Sequence, residues 1–86
     1  MPIYMIEREF AERLDITRED VEGVSAINSE VGVEWLYSFL SADRMKTYCL
    51  YQAKCPEDIL RAAEKAGIPA DKIIEVDRFD PQEAFA

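Results

Sequence analysis

Histidine is absent from this 86-residue chain, which removes both the commonest transition-metal ligand and the commonest general base at neutral pH. Two cysteines, Cys49 and Cys55, are too few to staple a small secreted scaffold, so reduced thiols are expected. No apolar run approaches the ~18 residues of a membrane span. The opening Met1-Pro2-Ile3-Tyr4-Met5-Ile6 also lacks the basic segment and long apolar stretch of a secretory signal. The expected location is therefore the cytoplasm, with no membrane partner. Glycine is scarce too: Gly23, Gly32 and Gly67 fall in or at the ends of predicted helices, leaving no glycine-rich phosphate loop. Basic residues are few, 10 Lys and Arg against 18 Asp and Glu, for a net charge of −8. Such a charge repels phosphate backbones and excludes nucleic acid as a partner.

What is present is a globular composition, 49% hydrophobic and 33% charged. A chain of this mass buries about 64% of its unfolded surface, enough for one thin two-layer core. We read residues 1–86 as a single domain, with 79–86 as a loosely held tail.

Pro2 to Phe10 alternates as a strand, apolar on both faces at first and charged towards its end. Thr17 with Asp20 three residues on reads as a capping box, and Ile16 with Val21 as a hydrophobic staple. The helix they open runs over 17–31 and stops at Gly32. Val33 to Ser41 and Lys46 to Ala53 read as a hairpin turning at 42–45. Its strands set Phe39 opposite Tyr48 and Tyr37 opposite Leu50. In this reading Val33, Trp35, Tyr37 and Phe39 share one side, and Leu36 and Leu40 the other. Pro56 opens a second helix, with Glu57 and Asp58 complementing its dipole. Ile59, Leu60, Ala63 and Ala66 form its apolar stripe, and Gly67 followed by Pro69 ends it. Asp71 to Phe79 supplies the last strand.

The order β-α-β-β-α-β predicts an α+β, ferredoxin-like fold: a four-stranded antiparallel sheet with two helices on one face. Such a sheet normally alternates apolar and polar residues, because its second face meets water. Here both faces of the first strand and of the hairpin carry apolar groups. A patch of that size marks an interface or a ligand groove. We expect a homodimer packed sheet to sheet, in the manner of dimeric α+β barrels, with Trp35, Tyr37 and Phe39 in the interface. The competing reading is a monomer whose helices cover less of the sheet.

The candidate chemistry is limited. Without imidazole, a metal would fall to carboxylate, phenol and thiol, with Glu7, Glu9 and Cys49 as the candidate ligands and Asp77 and Tyr4 as further donors. A carboxylate pair at a strand end is, however, ordinarily just solvated. Cys55 lies at a helix N-terminus, but Glu57 and Asp58 oppose its ionisation and no histidine can act as its base. Arg8, Glu7 and Glu9 on the first strand neighbour Tyr48 and Tyr51 on the third. They make either a structural ion pair or, in an aromatic-lined cavity, a proton-transfer site. The candidate ligand-binding set is Tyr4, Arg8, Trp35, Tyr48 and Tyr51.

Pro2-Ile3-Tyr4-Met5-Ile6-Glu7-Arg8-Glu9-Phe10, Gly32-Val33-Glu34-Trp35, Ser38 to Asp43, Lys46 to Ala53 and Ala66 to Val76 together resemble a family of small bacterial proteins classed as a domain of unknown function. Its members include nickel-binding proteins of ferredoxin-like fold. The resemblance spans residues 2–78 and implies a homodimer and nickel as the metal. The chain departs from it in two places. Relatives carry a histidine in the second helix near the position of Ala62, and Arg44 stands where a turn glycine is usual. Residues and resemblance together give a small cytoplasmic binding or accessory protein, homodimeric, holding a metal (nickel) or a small molecule. The alternatives are a cofactor-independent enzyme of the dimeric α+β barrel type, a monooxygenase or isomerase, and a purely structural partner subunit.

Overall fold

The computed structural model describes residues 1–85. Its elements are β1 (Ile3–Glu9), α1 (Arg18–Val31), β2 (Glu34–Leu40), β3 (Lys46–Gln52), α2 (Pro56–Ala66), β4 (Lys72–Val76) and a short α3 (Pro81–Ala84). The four strands form one antiparallel sheet in the order β2-β3-β1-β4. β1 is therefore central, and the α+β architecture read from the sequence is present.

Local chemistry accounts for the helix ends. The Thr17 hydroxyl accepts from the Asp20 backbone N–H at 3.2 Å, and the Asp20 carboxylate accepts from the Thr17 N–H at 3.1 Å. The staple does not close, since Ile16 and Val21 both remain exposed. At the other end Gly32 takes a left-handed φ of 91° and its N–H reaches the Asn28 carbonyl. α2 begins at Pro56 and stops at Gly67, φ 69°. Its buried face is Ile59, Ala62 and Ala63, while Leu60 turns out to solvent.

The core lies between the helices and one face of the sheet. Tyr4, Ile6, Cys49, Tyr51, Val33, Ala53, Ile59 and Ala62 are its buried members, with Ile27, Val31, Trp35 and Ile73 packed against them. The register of β1 and β3 explains the selection. Tyr4 opposes Tyr51 and Ile6 opposes Cys49 on the helix side, while Met5 opposes Leu50 and Glu7 opposes Tyr48 on the outer side.

β2 corrects the expected sharing of faces. A register shift between Trp35 and Tyr37 sets Trp35 opposite Tyr51, on the helix side. Tyr37 and Phe39 oppose Leu50 and Tyr48 on the outer side, as the hairpin reading expects. One extra residue in a strand reverses the side-chain alternation beyond it, so Trp35 does not share a face with Tyr37 and Phe39. The last strand ends at Val76, short of the expected Phe79. The tail instead holds α3, capped by the Asp80 carboxylate, and the rings of Phe79 and Phe85 meet edge to face at 6.0 Å.

The accessible surface is 6083 Å², where a folded monomer of this mass exposes about 5,200 Å². The radius of gyration is 13.5 Å against about 12 Å for a compact chain of this length. Two regions make the molecule open: the outer face of the sheet, and a cleft under α1.

Candidate functional site

The cleft lies between the N-terminal half of α1 and the end of the sheet where β1 stops and β3 begins. Its volume is about 620 Å³, within the range of small-molecule sites. Arg8, Thr47, Cys49, Tyr51, Trp35 and Ser38 line it from the sheet, and Asp20, Gly23, Val24 and Ile27 from α1. The α1 residues recur at helical spacing, so one face of that helix looks down on the strands. Leu14, Asp15 and Ile16 close one side from the connecting segment. That segment is tied to the hairpin turn by hydrogen bonds from Phe10 N–H to the Met45 carbonyl and from Leu14 N–H to the Arg44 carbonyl, both 2.9 Å.

Arg8 is the unusual member. Alternation on the central strand turns it to the helix side, where it is 3% exposed. One guanidinium nitrogen donates to the Pro69 carbonyl at 2.5 Å, and the group stands 5.7 Å from the centre of the Tyr51 ring. Among the described residues no carboxylate comes within ion-pair distance of it. A guanidinium removed from water costs several kcal/mol unless a counter-charge or a full set of acceptors offsets it.

The aromatic wall is ordered by hydrogen bonds. Trp35 stacks on Tyr51, with centroids 6.3 Å apart and planes 11° apart. The Trp35 indole N–H donates to the Ser38 hydroxyl at 2.8 Å, and the Asn28 amide donates to the Tyr51 hydroxyl at 3.3 Å. Burial pushes the Tyr51 phenol above its ordinary pKa, partly opposed by Asn28 and by the charge of Arg8. The phenol is therefore protonated at neutral pH.

The structure thus brings together Arg8, Trp35 and Tyr51 from the expected ligand-binding set. Tyr4 shares their face but lies at the far end of the core, where burial and then the charge of Glu75 raise its phenol. Tyr48 lies on the outer face, opposite Phe39. Sequence reasoning missed Ser38, Thr47 and the floor that α1 leaves uncovered. The available signal was Gly23 inside a helix whose Val24 had no predicted partner.

The three candidate metal ligands do not converge. Glu7 is on the outer side of the sheet, 3.8 Å from the Lys46 ammonium, which also holds Glu9 at 3.2 Å. Lys72 approaches Glu7 from β4 at 4.0 Å. Cys49 is buried on the opposite face, its thiol 3.6 Å from the Thr47 hydroxyl.

A family model described as "Nickel responsive protein SCO4226-like" matches residues 4–76. The chain belongs to the SCO4226-like family. The crystal structure of SCO4226 from Streptomyces coelicolor A3(2) has the same fold, with a TM-score of 0.74 and 22% sequence identity over 91% of this chain and 99% of that one. No curated protein matches the sequence. The family's description raises the question of whether this SCO4226-like chain has donors for nickel. It has no histidine, and among the described residues no group of three or more Cys, Asp and Glu side chains is placed to hold a metal ion. Borderline cations such as nickel favour imidazole or thiolate. The one buried thiol, Cys49, shares the cleft lining with an arginine and has no second donor of its kind there, so the residues of a single chain do not fit nickel. Among the described residues, no helix of this SCO4226-like chain is long and apolar enough to cross a membrane.

Proposed function

We propose that this SCO4226-like chain is a small binding or accessory protein that holds an organic molecule in the cleft under α1, as a cytoplasmic homodimer of ferredoxin-like protomers. One observation carries the reading: an open cleft of about 620 Å³, apolar over most of its wall and furnished with a few convergent polar groups, as ligand sites are. The family's description, nickel responsive, suits an accessory role without requiring that this chain coordinate the ion itself.

The dimer rests on the outer sheet face. Ile3, Met5, Tyr37, Phe39, Tyr48, Leu50, Ile74 and Val76 alternate onto it, and Phe39 and Ile74 are 57% and 54% exposed. Apolar surface on that scale marks an interface. The enzyme reading has the inward Arg8 in its favour. Binding is preferred because the cleft's buried phenol is held protonated and its carboxylates, Asp15, Glu19 and Asp20, are exposed at the rim.

Neutral phenylnaphthylamine, which brightens in apolar surroundings, tests the cleft. Trp35 is the only tryptophan and lines the cleft, so energy transfer from it reports a bound dye. Gly23→Phe supplies the control. A side chain at Gly23 meets nothing within 4 Å and would occupy the space below α1. Saturable transfer in the wild type that Gly23→Phe abolishes is the expected result. Transfer unaffected by Gly23→Phe would place the dye elsewhere and end this reading.

A further inference from the structure

Among the described residues, half of the ten Lys and Arg side chains find a carboxylate. Lys46, Lys72, Lys65, Arg61 and Arg78 each lie within ion-pair distance of at least one. Acidic residues are in excess, 18 against 10, so a partner for any cation is statistically easy to supply. Arg8, the most deeply buried of the cations, has none among the described residues. Its strand neighbours Glu7 and Glu9 are both engaged with Lys46 on the outer face. The pleat that turns Arg8 inward turns them away from it.

Two hydroxyls that line the cleft with it are committed in one direction. Ser38 accepts from the Trp35 indole, and Tyr51 accepts from the Asn28 amide. An oxygen that accepts internally keeps its own proton to give. The cleft floor therefore presents a guanidinium and hydroxyl donors, set against the flat faces of Trp35 and Tyr51.

We propose that the cleft takes an organic monoanion, a carboxylate or sulfonate at the end of a flat apolar body, with its charge on Arg8 and its rings along Trp35. This rests on reading the cleft as a ligand site. The planar guanidinium suits the paired oxygens of such a head group. The exposed carboxylates at the rim, Asp15, Glu19 and Asp20, repel small multiply charged ions. They tolerate an anion whose charge is carried down to the floor by its own apolar body.

A matched pair of dyes separates this inference from the reading beneath it. Anilinonaphthalenesulfonate and phenylnaphthylamine share the same ring system and differ in the sulfonate. A molecule of net charge −8 repels the first, and an apolar cleft without a cation favours the second. We expect the wild type to bind the sulfonate about tenfold or more tightly than the neutral dye, the scale of hydrogen bonds to a charged group. Arg8→Met should reverse the preference, Arg8→Lys should retain part of it, and Gly23→Phe should remove both dyes. If the wild type binds the neutral dye equally or better, and Gly23→Phe still abolishes it, the anion is wrong while the cleft stands as a ligand site. If neither dye binds, both readings fall. Should Arg8→Met not fold, the wild-type ratio and the polar, uncharged Arg8→Gln decide the matter: a ratio unchanged in Arg8→Gln would overturn the role of Arg8.

Discussion

The guanidinium of Arg8 lies 5.7 Å from the centre of the Tyr51 ring, and the Tyr51 hydroxyl is held by Asn28 from helix α1. A cation over an aromatic face recovers ~0.5 to 2 kcal/mol and the hydrogen bond from Arg8 to the Pro69 carbonyl about 1.5 to 3 kcal/mol, which together do no more than offset a desolvation of several kcal/mol. The buried charge of Arg8 therefore adds little to stability. Arg8→Met keeps the apolar stem and removes the charge, so its unfolding free energy should match or exceed that of the wild type, within about 1 kcal/mol. Arg8→Ala also removes the stem, and should lose about 2 kcal/mol or more. Urea unfolding without ligand checks both. A loss of several kcal/mol in Arg8→Met would mean that the charge holds the fold rather than a ligand.

Two neighbours on α2 should behave very differently. Ile59 is fully buried against the sheet, and Leu60 is half exposed. Ile59→Ala leaves a cavity and should cost about 2 to 5 kcal/mol. Leu60→Ala should stay within about 0.5 kcal/mol. Denaturant midpoints of the two variants, measured side by side, test which face of α2 meets the core.

Much of this was legible in the letters, for identifiable reasons. Thr17 with Asp20, Gly32, Pro56 and Gly67 are punctuation whose physics is local, and all of them mark helix boundaries in the structure. The hairpin partners Phe39 with Tyr48 and Tyr37 with Leu50 follow from the turn and the alternation. Trp35 was not legible, because the extra residue between it and Tyr37 is a feature of pairing and leaves no mark in composition. The site was legible as residue types and not as a place. Arg8, Trp35 and Tyr51 stood out, but which face they shared depends on the registers of three strands. Cys49 joined Glu7 and Glu9 in a list of donors, and the pleat alone sets them on opposite sides of the sheet.

The hairpin turn carries a charge-dependent clasp. The Asp43 carboxylate accepts from the Ser41 hydroxyl at 2.6 Å and from the Met45 N–H at 3.0 Å. These bonds hold its pKa below the ordinary carboxylate range, the Ser41 hydroxyl first and the Met45 N–H second. A lowered folded pKa means stability that is present above the unfolded value and lost as the pH falls through the folded one. Asp43→Ala should therefore reduce stability at neutral pH and flatten its decline in acid, as read from thermal midpoints across that range. Next to it Arg44 sits at φ 60°, a conformation that costs a non-glycine residue about 1 kcal/mol or more. Arg44→Gly should raise stability by about 0.5 kcal/mol or more, the relief of strain exceeding the added chain entropy.

The outer face of the sheet should decide the oligomeric state. Tyr37 and Phe39 meet edge to face, with centroids 5.6 Å apart, and stand about half exposed on that face. Sedimentation equilibrium should find a dimer at micromolar concentration. Phe39→Glu should yield monomer, because its carboxylate would be buried without a partner against an identical face. Trp35→Phe, on the helix side, should leave the dimer intact while altering the cleft. A wild-type monomer, or a Phe39→Glu protein that stays dimeric, would remove the outer face from the interface and leave its apolar residues to another partner.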